Sequence, residues 1–240
     1  MGVEPVAFQA VDKTTLRGSF YTPASYSGQK LPCVVISHGF SAVKEQGLTA
    51  VAEYFTANLP ITCLVFDNRG FGDSDAGEGM PRLEVDGAAQ TSDISDAITY
   101  SQTRPEVDPA KIGIWGSSFS GANVLWVGAV DRRVKAVVSQ APLVDGWSAF
   151  ANLLRSDEVV NWEADFQKGS CRSILFAHCD LIDLTILDRI GRATGKPPMM
   201  VPVVDPNPLN RSAMTTKDSN AAMGGAEKLT NFKNEVTLKR

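Results

Sequence analysis

The sequence predicts an α/β protein in which a mostly parallel sheet carries helices on both faces. Three observations lead there. Strand-like and helix-like segments alternate through the first 140 residues. PCVVIS (32–37) is a continuous apolar run, as a strand buried on both faces requires, and VKAVVSQAPL (134–143) is another buried-strand candidate. With 43% apolar and 21% charged positions, 240 residues suffice for one full-sized core.

In chain order, residues 4–10 and 15–21 read as an opening hairpin, and 32–37 as a buried strand. A helix is expected at about 47–58, where Leu48, Val51, Ala52 and Phe55 recur at helical spacing. ITCLVFD (61–67) is a further strand and ends in the glycine-rich loop DNRGFGDSDAGEG. Residues 83–103 suit a helix that buries Val85, Ala89, Ile94, Ala97 and Ile98 and leaves Asp93 and Asp96 wet. The strand KIGIWG (111–116), a Ser/Gly-rich turn and the apolar helix GANVLWVGAV follow, and 134–143 is another buried strand. These elements make a core over 1–145. Residues 146–212, with mixed helical signals and five prolines in 196–212, read as a cap or inserted segment, and 213–240 as a polar tail of low expected order.

Charge and composition exclude several classes. A net charge of −4, a pI near 5.3 and the lack of a Lys/Arg block give no electrostatic basis for binding nucleic acid or an anionic membrane. No run approaches the roughly 20 apolar residues of a bilayer span, and the first residues do not read as a secretory signal. Cys33 and Cys63 fall in apolar runs, and with Cys171 and Cys179 they show no C-x-x-C spacing. No metal or organic cofactor is expected, and an intracellular, cytoplasmic, reducing compartment fits. The ending Thr-Leu-Lys-Arg is not a peroxisomal address.

The chemistry lies in Gly116-Ser117-Ser118-Phe119-Ser120-Gly121, between the strand KIGIW and an apolar helix. A strand–turn–helix with small residues about a serine is the context of a nucleophile elbow. The departure is Ser120, where the G-x-S-x-G pattern has glycine. Ser118 would present its hydroxyl as nucleophile, with the Phe119 N–H facing the developing oxyanion. A loop that merely caps the helix is the plain alternative. Ser37-His38-Gly39-Phe40, directly after the strand at 32–37, offers the Phe40 N–H as second oxyanion donor, with His38 structural rather than a base. The Gly70/Gly72 loop has neither G-x-G-x-x-G spacing nor a Walker lysine, which argues against a nucleotide site.

SHGF, FDNRGFGDSD and GIWGSSFSG, in this order, resemble the α/β-hydrolase superfamily. More narrowly, QAPLVDGW (140–147), ANLLRSD (151–157) and GKPPMMVPVVDPNPL (195–209) resemble the fungal family that holds polyketide transferases and toxin-cluster hydrolases. The resemblance covers about 4–160 and 187–238 and fails over 161–186, which include GSCRSILFAHCD. It implies acyl transfer on a small-molecule or carrier-bound ester or thioester in polyketide or toxin biosynthesis, and, by family analogy, a possible peroxisomal location. It also implies an acid and then a histidine after the serine, and by that measure the chain stops short, with the last strands and the late Asp/His pair missing. His178 and Asp145 are the substitutes the sequence offers as base and acid. Low or no esterase activity is the resulting expectation. The alternatives are an impaired or inactive member of the family, and a peptidase or dienelactone-type hydrolase. Oligomeric state is not legible in the sequence.

Overall fold

A computed structural model of the chain describes residues 1–145 and, beyond them, the backbone of four short strands. The chain forms two compact units, Met1–Val144 and Asp145–Arg240. No helix among the described residues is long and apolar enough to cross a membrane.

The first unit is a six-stranded sheet with helices on both faces. Its strands are β1 (Gly2–Gln9), β2 (Thr15–Thr22), β3 (Leu31–Ser37), β4 (Thr62–Phe66), the separate two-residue β5 (Glu84–Val85), β6 (Val107–Ser117) and β7 (Val134–Gln140). The helices are α1 (Leu48–Asn58), α2 (Gly87–Thr103) and α3 (Phe119–Val130). The sheet order is β1-β2-β4-β3-β6-β7. The hairpin β1–β2 joins antiparallel to β4, whereas β4–β3, β3–β6 and β6–β7 are parallel.

The period-2 alternation of side chains sorts the core into two layers. On one face Phe20, Cys33, Val35, Leu64, Phe66, Ile112 and Ile114 pack with Ile94, Ala97 and Ile98 of α2 and Val124 and Val127 of α3. On the other, Tyr21, Ile36, Cys63, Val65 and Trp115 pack with Leu48 and Ala52 of α1. Two helices stop for the same reason. Leu59 and Arg104 precede Pro60 and Pro105, and a residue before proline is driven to the extended backbone observed at both.

Three expectations need correction. The second helix starts at Gly87 rather than 83, because Asp86 adopts extended backbone and its carboxylate accepts from Ala88 N–H and Ala89 N–H, the geometry of a helix cap. Asp93 is not wet but fully buried, its charge met by Arg69 Nε at 2.7 Å and Nη2 at 2.5 Å. Among the described residues β7 is an edge strand with Val137 and Val138 exposed, not a strand covered on both sides.

In the second unit, β8 (Arg172–Ser173) pairs antiparallel with β9 (Phe176–Asp180), and β10 (Val201–Pro202) with β11 (Glu235–Leu238). The rest of the expected cap and tail lies outside the described residues.

Candidate active site

β6 runs into the turn and α3 leaves it, with Ser118 between them at φ 54°, ψ −119°. Such backbone is costly for a residue with a Cβ, and it persists only where the surroundings enforce it. Here Ser118 N–H donates to Gln140 O at 2.9 Å and Leu143 N–H donates to Ser118 O at 2.9 Å, which ties the turn to the end of β7. Ser118 is exposed, while Ser120 and Gly121 are buried beneath it.

Strand and helix approach so closely that a Cβ on Gly116 would stand 2.4 Å from Ser120 O. Ser120, which takes the place of the pattern's second glycine, is fully buried and shares a hydrogen bond with the Ser37 hydroxyl at the end of β3. Its hydroxyl thus joins the base of the turn to the neighbouring strand.

The loop after β3 meets the same turn. A Cβ on Gly39 would lie 3.0 Å from Ser117 O, 3.2 Å from Ser118 Cβ and 3.8 Å from Phe119 N. Gly39 therefore sits against Ser118, with Phe40 next in the chain. The rings of Phe40 and Phe119 meet edge to face at 6.1 Å. Phe119 opens α3, where the first amides have no partner within the helix and the dipole favours negative charge.

His38 is 2% exposed and fully engaged. Its Nε2 accepts from the Asn68 N–H at 2.9 Å, and its Nδ1 lies 3.0 Å from Gly39 O. Burial holds its pKa below the ordinary 6.5. These bonds fix it as part of the loop. Asp67 is fully buried and accepts from Lys44 N–H at 2.8 Å, Lys44 Nζ at 2.7 Å and Asp73 N–H at 3.0 Å. Glu45, Asp67 and Asp73 cluster as metal ligands could, but the Lys44 ammonium stands among them at 2.8, 2.7 and 2.6 Å. Burial works against that ammonium, yet its hydrogen bonds to the three carboxylates raise its pKa overall.

The structure thus brings Ser118, Phe119, Gly39 and Phe40 together. Asp145 is exposed and opens the second unit, and the His178 backbone lies on β9 of that unit, its side chain outside the described residues. Sequence reading missed Asn68, Lys44 and Asp67. The signal was the polar-and-glycine composition of DNRGFGD, which by itself does not say what the polar groups bind.

Fold and turn together define an α/β-hydrolase. Residues 12–185 match the family model described as X-Pro dipeptidyl-peptidase (S15 family), and the chain belongs to that family. It is 34% identical over 196 residues to the quorum-quenching protein AidA of Acinetobacter baumannii, covering 82% of this chain and 57% of that protein. It is 41% identical over 140 residues to the thiohydrolase aneE of Aspergillus aculeatus, covering 58% of this chain and 42% of the relative. Among solved structures, the α/β-hydrolase GrgF of Penicillium sp. sh18 superposes with a TM-score of 0.70 at 27% identity, over 99% of this chain and 70% of that one. The chain spans about half the length of the curated relatives it matches.

Proposed function

We propose that this protein is an acyl-transfer enzyme that uses Ser118 to attack a thioester or ester carbonyl, as a thiohydrolase or a polyketide acyltransferase. The observation that carries the proposal is the exposed Ser118 at a strained turn, with Gly39 packed against it and Phe119 opening a helix beside it. The names of relatives lend support: aneE is a thiohydrolase, claH of Penicillium crustosum a polyketide transferase and drtE of Aspergillus calidoustus an acyltransferase. The natural substrate is a small-molecule or carrier-bound acyl group.

In this reading the Ser118 Oγ forms a bond to the carbonyl carbon while the carbonyl oxygen takes the electron pair. The N–H groups of Phe40 and Phe119 hold that charge. Collapse of the tetrahedral species expels the thiolate or alkoxide and leaves an acyl-serine, which water or an acceptor hydroxyl then cleaves. The Oγ proton must pass to a base. His38 is spent on the loop, and His178 and Asp145 enter the test as the base and acid suggested by the sequence alone. The unpaired, buried thiols of Cys33 and Cys63 support an intracellular site of action.

The test is thiol release from acyl thioesters and p-nitrophenol release from p-nitrophenyl esters, for the wild type and for Ser118→Ala, His178→Ala and Asp145→Ala. The proposal expects Ser118→Ala to lose turnover of both substrate types. Turnover unchanged in Ser118→Ala overturns it. The family match gives a second reading, X-Pro dipeptidyl peptidase activity, and Ser118-dependent cleavage of glycyl-prolyl-p-nitroanilide with inert thioesters would favour that reading.

A further inference from the structure

We infer that the glycine-rich loop after β4, residues 67–73, is a positioning device that preorganises the second oxyanion donor, the Phe40 N–H; this rests on the acyl-transfer reading of Ser118. The reaction itself assigns nothing to DNRGFGD. Yet two separate sets of contacts strap the loop after β3 onto it.

At the near end the Asn68 backbone N–H donates to His38 Nε2 at 2.9 Å, and Asn68 Nδ2 donates to His38 O at 3.1 Å. Because Nε2 accepts, the neutral ring carries its proton on Nδ1, which donates to Gly39 O at 3.0 Å. Phe71, from the same glycine-rich loop, meets the His38 ring edge to face at 6.0 Å. The Gly39 carbonyl is thereby held toward the imidazole. The Gly39–Phe40 peptide is trans, so the Phe40 N–H across that same bond is held pointing the opposite way. Gly39 also abuts Ser117 O and Ser118 Cβ, which sets the distance from the amide to the nucleophile.

At the far end the fully buried Asp67 takes both the backbone N–H and the Nζ of Lys44. Gly72 makes this possible, since a Cβ there would stand 2.3 Å from the Asp67 carboxylate. Phe40 and Ser41, the latter at φ 52°, therefore span an arch pinned at residue 38 and at residue 44. An oxyanion donor works best when it needs no reorganisation as charge develops, and an error of about 1 Å can cost about 10²-fold in rate. His38 and Asn68 are positioning residues in this account, acting through the Gly39–Phe40 peptide.

The experiment uses the full chain and labels Ser118 with a fluorophosphonate, separating kinact from KI by intact-protein mass. His38→Leu and Asn68→Ala should each lower kinact about tenfold or more while KI stays within about threefold. His38→Asn, which keeps an amide donor near the Nδ1 position, should recover part of the loss; a purely structural role would not produce that split or that rescue. Should His38→Leu fail to fold, Asn68→Ala decides, because it keeps the backbone N–H to Nε2. A kinact for Asn68→Ala within about threefold of the wild type overturns the inference. Absence of a wild-type adduct on Ser118 overturns the acyl-transfer reading instead. Amide hydrogen exchange of the peptide 38–44 then decides the clamp by itself: about tenfold faster exchange in Asn68→Ala supports it, and unchanged exchange refutes it.

Discussion

Replacing Gly116 by alanine drives a methyl group into backbone, where no side chain can swing aside. The new Cβ would lie 2.4 Å from Ser120 O, 2.7 Å from Ser120 C and 2.8 Å from Ser120 Oγ. Comfortable separations are about 3.5 Å, so the strand and the first turn of α3 must part by about 1 Å. Ser120 resists, being buried and bonded to Ser37. Overpacking of this kind costs about 1–3 kcal/mol, and at about 2–4 °C per kcal/mol for a chain of this size the melting temperature falls about 2–12 °C. The rate suffers more. Phe119 N–H moves with the turn, and if it is an oxyanion donor as proposed, its loss costs about 10²–10³-fold. Circular dichroism melts and fluorophosphonate labelling of Ser118 read the two effects. Gly113→Ala, three residues earlier on β6, is the control: its Cβ would meet Ala136 O and Val34 Cγ2 at 3.6 Å, an ordinary contact. The reasoning is refuted if Gly116→Ala melts and labels like the control.

Other consequences are equally specific. Asp67→Asn removes the buried carboxylate that pairs with Lys44 and should destabilise the fold by about 3 kcal/mol in urea unfolding, since Asp73 and Glu45 still hold the ammonium. Asp86→Ala removes the cap on Ala88 and Ala89 N–H and should cost about 1 kcal/mol, with α2 peptides near residue 87 exchanging faster and those near 103 unchanged. His38 carries a pH signature. Its folded pKa lies below the 6.5 of an unperturbed histidine through burial, with Asp67 and Glu45 opposing and Lys44 adding to the shift. The unfolded chain therefore takes up the proton first, so the stabilisation is complete above pH 6.5 and is lost as pH falls toward the folded value, by at most about 1.4 kcal/mol per pH unit. His38→Asn should remove that slope; an identical acid slope in the variant contradicts the assignment.

How legible the molecule is in its sequence depends on the range of the interaction. The strands β3, β4 and β6 could be read because burial on both faces demands unbroken apolar runs, a local property. The turn at Ser118 was legible for the same reason, since strand, small residues and helix lie within a dozen positions. Composition marked β7 as a strand but could not say that its Val137 and Val138 stay exposed, because that is a matter of topology. Asp93 defeated periodicity: its burial depends on Arg69, 24 residues earlier. The contacts beneath the loop after β3 were illegible likewise. Asn68 meets His38 across 30 residues and Lys44 meets Asp67 across 23, and nothing local to DNRGFGD announces either partner.

The most direct measurement is to trap the acyl-enzyme, by acid-quenching the full chain with a thioester or p-nitrophenyl ester and mapping the adduct by peptide mass spectrometry. The account predicts an acyl mass on Ser118, lost in Ser118→Ala. An acyl group found on any other residue, or none at any quench time while substrate is consumed, would contradict it.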